Sequence, residues 1–271
     1  MRVALLSDIH GNALALEAVL LELAGERVDV VMNLGDIFYG PLWPRHTWEL
    51  LRSIEAVTIV GNEDRKLFDA SADDIASHPT VAYNLRDLGD EPIEWMRSLP
   101  ATTRVDEIYA CHGTPDSDLV YLLEDIAGGD AQLRGEAAIK SQLGDFGNER
   151  VIVCGHTHTP RAISLSNGTL IVNPGSVGLP AYDDDLPVPH RMQTGTPHAR
   201  WAMLTKTPQG WSAELRSTAY DFDAAALQAQ AQQRADWAGW LRSGRRPTSG
   251  SSCRACSHAR SPARCGCDSR R

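Results

Sequence analysis

The sequence predicts an α/β fold with a mainly parallel sheet and helices on its faces. Two observations carry that reading. Short apolar runs at residues 3–6, 28–34 and 57–60 alternate with helical patterns, a βαβαβ rhythm that implies parallel pairing. The polar motifs of the chain follow these runs directly instead of falling inside them.

Each element has its own local reason. Residues 3–6 (Val, Ala, Leu, Leu) are apolar without alternation, as in a strand buried on both faces. Asn12 can cap the helix that follows, where Leu14, Leu16, Val19, Leu20 and Leu23 recur near helical spacing. Trp48, Leu50, Leu51 and Ile54 mark a helix between the second and third strands. Residues 62–100 read as helical and stop at Pro100. Residues 108–111 and 151–154 are two more short apolar strands. Residues 162–165 and 169–172 flank Asn167-Gly168, a two-residue hairpin signal. Residues 201–205 and 211–216 flank a turn with Pro208 and Gly210. A last helix over about 223–242 would bury Leu227, Trp237, Trp240 and Leu241.

The 271 residues carry a formal charge of −9, unevenly placed. Residues 243–271 hold seven Arg, one acid and four of the six Cys, leaving −15 on residues 1–242. The reading is therefore one domain, 1–242, and a disordered basic tail, 243–271, with too few large apolar residues to build a core. Cys253, Cys256, Cys265 and Cys267, with His258 between the pairs, leave open a zinc site in that tail. The acidic body argues against a broad nucleic-acid or membrane-surface binder. No stretch reaches the roughly 18 apolar residues of a membrane span, and the N-terminus lacks a signal-peptide pattern. Cys111 and Cys154 lie in apolar runs as reduced core thiols, so the expected location is the cytoplasm.

Five strand ends carry chemistry: Asp8-Ile9-His10, Gly35-Asp36, Gly61-Asn62-Glu63-Asp64, His112-Gly113 and Gly155-His156-Thr157-His158. The crevice beyond the carboxyl ends of parallel strands is where α/β sheets bind ligands. Carboxylates mixed with imidazoles suit first-row divalent metals. A single Asp-x-His occurs by chance in many chains; five such fragments, each at a strand end, do not. His46, His78, His190, His198 and His258 lack that context and read as ordinary surface residues.

On these motifs, and on Asn173-Pro174-Gly175-Ser176-Val177-Gly178, the chain resembles the calcineurin-like metallophosphoesterases over about residues 2–246. It is most similar to their small bacterial and archaeal phosphodiesterase-like branch. The resemblance implies a four-layer αββα sandwich of mixed sheets with a di-metal site at the strand C-terminal edge. By motif position, one divalent ion would take Asp8, His10, Asp36 and His158, and the other Asp36, Asn62, His112 and His156, with Asp36 shared. Manganese comes first as the metal, with iron, nickel or zinc as alternatives. The implied reaction is hydrolysis of phosphate esters, phosphodiesters first and nucleotides among them, by a hydroxide bridging the two ions. Asp36, Asn62, His112 and Glu63 would be the catalytic set. Phosphomonoesters or dinucleoside polyphosphates are the alternative substrates. The retromer subunit of this fold supplies the non-catalytic alternative, a metal-binding scaffold, and the complete set of seven ligands favours catalysis over it.

Two departures stand out. Glu63 occupies the place of the family's usual His after Gly-Asn. It could act as a general acid if burial keeps it protonated, or orient a metal ligand. The phosphate-binding Arg of the protein phosphatases is missing from residues 35–41, and Arg65 reads as a surface residue. Asn12 and Tyr39 are candidate substrate contacts, although capping and packing also account for them. Residues 173–176 form a turn that either orients His156 or His158 or caps a strand. The expected partner is a small phosphate ester, with no membrane and no nucleic-acid surface.

Overall fold

All four side chains of residues 3–6 are buried, but they face two different cores. Val3 and Leu5 pack between two sheets, while Ala4 and Leu6 pack under helices. That explains the unbroken apolar run: each face of the first strand has its own apolar neighbour. The computed structural model describes residues 1–246.

In chain order the elements are β1 (Arg2–Leu6), α1 (Ala13–Ala24), β2 (Val30–Asn33), α2 (Pro44–Leu51) and β3 (Ala56–Thr58). Four helices follow: α3 (Asn62–Phe68), α4 (Ala72–Ser77), α5 (Pro79–Leu88) and α6 (Asp90–Ser98). Next come β4 (Thr102–Val105), β5 (Ile108–Cys111), β6 (Glu124–Ala127), β7 (Asp130–Leu133), α7 (Glu136–Leu143), β8 (Val151–Val153), β9 (Arg161–Ser164) and β10 (Leu170–Asn173). The chain ends with β11 (Ala181–Asp184), β12 (His190–Gln193), β13 (Ala199–Thr207), β14 (Gly210–Thr218), α8 (Phe222–Ala231) and α9 (Ala235–Ser243).

Two mixed five-stranded sheets form the centre, in the orders β14-β13-β1-β2-β3 and β4-β5-β8-β10-β9. In each, three strands run parallel: β1, β2 and β3 in one, β5, β8 and β10 in the other. The remaining strands pair antiparallel at the flanks, including the β9–β10 hairpin around Asn167-Gly168. Val3, Leu5, Met32, Ile108, Val151 and Leu204 fill the space between the sheets. On the far side of the first sheet, Leu16, Trp48, Val81 and Met96 bring α1, α2, α5 and α6 onto Ala4 and Leu6. On the far side of the second, Ile139 and Leu143 of α7 cover Tyr109, Cys111, Ile152 and Cys154. The result is the four-layer α/β/β/α order. Cys111 and Cys154 are buried free thiols, and burial pushes Cys111 up to about 12. Among the described residues no helix is long and apolar enough to cross a membrane.

The reading of the last helix is corrected. The last helix is two helices, separated where Gln233 turns to φ +61°, and Leu227 is 59% exposed on α8 instead of buried. Small alanines, Ala225, Ala226 and Ala229, make the α8 contact there. The 62–100 segment is helical as read, in four short helices divided by two capping turns and Gly89. A third, four-stranded sheet, β11-β12-β7-β6, has no counterpart in the sequence reading. The packed chain continues past residue 242: Gly244 closes α9 in a left-handed turn and its carbonyl accepts from Gly195 N at 2.8 Å. The tail cysteines and His258 lie outside the described residues.

Candidate metal centre

Parallel strands deliver their carboxyl ends to one edge, and the two sheets place those edges against each other. Asp8 follows β1, Asp36 follows β2, and Asn62 opens α3 just after β3. His112 follows β5, while His156 and His158 follow β8. The approach is tight enough to need glycine. A Cβ on Gly61 would lie 2.3 Å from Asp36 Oδ1, and one on Gly155 would lie 2.1 Å from Ser7 Oγ across the sheets. The backbone also turns sharply at the functional residues. Asp8, His10, Asp36, His156 and His158 all have φ between +52° and +69°. Left-handed backbone costs a non-glycine residue roughly 1–3 kcal/mol, so this edge carries concentrated strain.

The side chains gather into two groups of three, Asp8, His10 and His158, and Asp36, His112 and His156. Within each, the ligand-capable atoms lie within 4.8 Å of one another. His10, His112 and His158 each donate Nδ1–H to a backbone carbonyl: Tyr39 at 2.9 Å, Leu34 at 2.7 Å and Leu179 at 2.7 Å. That fixes the tautomer and leaves Nε2 aimed inward. Asp8 Oδ2 accepts from Ser7 Oγ and from His156 N. Asp36 Oδ1 accepts from Glu63 N at 2.8 Å. Asp64, fully buried, holds the Asp36 loop by accepting from the N–H groups of Asp36, Ile37 and Gly61. Asn173 donates to Gly155 O and Thr157 Oγ1, so the turn after β10 braces the loop carrying His156 and His158.

Several atoms here lack a protein partner that makes sense without a cation. Asp8 Oδ1 is buried and accepts no hydrogen bond; His158 Nε2 is 3.3 Å away. His10 Nε2 and His158 Nε2 stand 3.1 Å apart, both with their Nδ1 protons committed elsewhere. One end of the Asn62 amide faces His112 Nε2 at 3.1 Å and His156 Nδ1 at 3.0 Å; as an oxygen it accepts from a protonated His112 and meets the His156 lone pair, and as the NH2 it bonds both only where His112 Nε2 carries no proton. Lone pairs from imidazoles, a carboxylate and an amide converging on two points are what divalent ions satisfy. The residues therefore fit two metal ions.

The imidazoles differ in charge. Burial, with the neighbouring His158, pushes His10 down to about 4, and burial with His112 does the same to His156. His112 goes the other way: although burial opposes it, the Asp36 carboxylate 3.3 Å away lifts it to about 10. Asp36 is correspondingly held far below the usual carboxylate range by His112, despite its burial. Burial and the Asp36 charge push Glu63 up to about 7.

A cavity of about 250 Å³ opens over these residues. Glu63 and Tyr39 line it, as do Lys66, Tyr182, Arg234 and Trp237, which the sequence reading passed over. Lys66 Nζ sits 4.4 Å over the Tyr39 ring and 3.4 Å from Glu63 Oε2. Its signal was faint: a Lys one turn after Glu63 on α3. Asn12 is not brought to the cavity. Its amide caps α1 through Ala15 N and donates to Gly178 O and Tyr220 OH. Arg65 turns away to a bidentate pair with Asp118. His190 is not a surface residue: it is buried and accepts from Tyr121 OH at 2.9 Å, in a chain leading through Tyr182 OH to His156 O.

Paired mixed sheets that bring two Asp-His-His groups to one edge define the class: a metallophosphoesterase fold with a candidate two-metal centre. A sequence model of the calcineurin-like phosphoesterase superfamily domain matches residues 1–188, and the chain belongs to that superfamily. An uncharacterized protein of Methanocaldococcus jannaschii is 25% identical over 201 residues, 66% of this chain and 76% of that one. A metallophosphoesterase from Sphaerobacter thermophilus shares the fold with a TM-score of 0.67 and 22% identity, over 88% of this chain and 99% of its own. A hypothetical protein from Pyrococcus horikoshii does so with a TM-score of 0.69 and 20% identity, over 91% and 99%.

Proposed function

We propose that the protein hydrolyses small phosphate esters, phosphodiesters first and nucleotides among them, with two divalent ions held by Asp8, His10, Asp36, His158, Asn62, His112 and His156. Asp36 is the shared carboxylate, and manganese the first metal to try, before iron, nickel or zinc. The single observation that carries this is the set of unsatisfied inward lone pairs: Asp8 Oδ1, and His10 Nε2 against His158 Nε2. When bound, a metal pair supplies Lewis acidity to the phosphoryl oxygens and makes water acidic enough to attack near neutral pH.

The chain's own residues do the rest. Carbonyls of Tyr39, Leu34 and Leu179 keep three imidazoles in the ligand tautomer. Asp64 fixes the Asp36 loop. Glu63, with a carboxyl near half protonation at neutral pH, can hold the proton a leaving alkoxide needs. Lys66 and Arg234 add positive charge to the cavity wall, which suits an anionic substrate. Buried free thiols suit a reducing compartment, and we place the protein in the cytoplasm.

The test is hydrolysis of bis-nitrophenyl phosphate, nitrophenyl phosphate, cyclic nucleotides and dinucleoside polyphosphates after loading with each metal in turn. Asp36→Asn and His112→Ala are the inactive controls. If no ester is cleaved with any metal, the scaffold reading replaces the enzyme.

A further inference from the structure

A second groove of about 570 Å³ shares two walls, Tyr39 and Arg234, with the metal-side cavity. It runs between the start of α5 and the α8–α9 link, past His78, Thr80, Tyr83 and Arg86. In a chain with 35 acids and 26 bases, no carboxylate lines this groove among the described residues. Its cations differ in availability. Arg234 is partly neutralised by Asp236 at 2.7 Å and also donates to Thr80 Oγ1 at 2.9 Å, which fixes it as the post between the two spaces. His78 has Asp74 4.0 Å away. Arg86 is exposed, lies over the Tyr83 ring at 5.8 Å, and makes no ion pair among the described residues. An unpaired guanidinium, with its five donors, is suited to phosphate oxygens.

We infer that this groove is a subsite for a further phosphate group of an extended phosphate ester, with Arg86 as its main contact. The metal-side cavity would then take the scissile phosphate. The inference rests on the proposed phosphoesterase function for that second half only. The groove's preference for polyanions is separable from it, because its residues are not ligands of the metal centre.

The test uses the full chain stripped of metal, with inorganic tripolyphosphate as the calorimetric probe. Arg86→Gln should weaken binding about tenfold, and Arg86→Glu should weaken it further. Binding that is absent in the wild type, or equal in wild type and Arg86→Gln (as contact with the arginines of residues 245–271 would give), overturns the subsite. In the metal-loaded protein, Arg86→Gln should raise KM about tenfold for dinucleoside polyphosphates and leave bis-nitrophenyl phosphate unchanged. An equal change for both substrates also overturns it. Failure of the proposed function looks different: no ester is cleaved, yet tripolyphosphate binding still depends on Arg86.

Discussion

Two imidazoles of the site, one from each Asp-His-His group, start from opposite charge states. In the Asp8 group, His10 is pushed down to about 4 and is neutral at pH 7, its Nε2 lying 3.1 Å from His158 Nε2. In the Asp36 group, His112 is lifted to about 10 and keeps a proton, pairing with Asp36 at 3.3 Å. Geometry explains the difference. His112 faces two carboxylates, Asp36 at 3.3 Å and Asp8 at 4.0 Å, whereas His10 faces another imidazole. Identical side-chain types can thus start from different protonation: His10 offers its Nε2 lone pair directly, whereas His112 must first lose a proton.

The strongest challenge to this contrast is removal of its central carboxylate. Asp36→Asn should lower kcat/KM by on the order of 10³-fold, as expected for several kcal/mol of lost transition-state stabilisation. Metal analysis of that variant should show fewer than two ions bound. Full metal content with full activity would mean that Asp36 is not shared.

Next in size is the proton itself. Loading the metal-free protein at pH 8 should release about one proton from the Asp36 group, measured by titration in weak buffer. His112→Ala should abolish the release, while His10→Ala should leave it intact. The same proton sets a pH window. His112, with its raised pKa, stabilises the metal-free fold fully below about 6.5, and that contribution is lost as pH rises through about 10. His10 and His156 have lowered pKa values, so their contribution is present above about 6.5 and is lost as pH falls toward about 4. Denaturant midpoints of the metal-free protein should therefore fall on both sides of neutrality. A flat profile from pH 4 to 7 would deny that the two imidazoles are buried uncharged.

Smaller effects test the leaving side and the backbone. With Glu63→Gln, the decline of activity above pH 7 should vanish, and slow phenyl esters should lose more than nitrophenyl esters. Equal loss for both leaving groups removes Glu63 as an acid. His156→Gly should be about 1 kcal/mol more stable than His156→Ala in thermal melts, because only glycine relaxes at φ +69°.

The gathering of the candidate ligands was legible because each follows an apolar run, so strand polarity alone brings them to one edge. Asp8, Asp36 and His112 needed no tertiary knowledge beyond parallel pairing. The small third sheet was not readable. Its strands, such as Asp130–Leu133 and Ala181–Asp184, are short and half-exposed, with no apolar alternation to announce them. Yet that sheet contributes Tyr182, which stacks edge-on against His158 with ring centroids 4.6 Å apart. Leu227 misled for the converse reason: the helix it sits on buries alanines, and a large apolar residue on the outer face costs little. Asn12 was legible as a cap, and that is where its amide is spent.

The left-handed turns at Asp8, His10, Asp36, His156 and His158 have a consequence over evolutionary time. Each is a place where the fold would be better served by glycine than by the residue it has. On the proposed function, selection for metal binding holds these five positions against a standing gain in stability. A descendant released from that selection should shed them quickly, with Gly or Asn arriving first at those sites. Ligands on relaxed backbone, Asn62 and His112, would persist longer as relics. The order of decay in such a lineage would record which residues were kept for chemistry and which the fold keeps for itself.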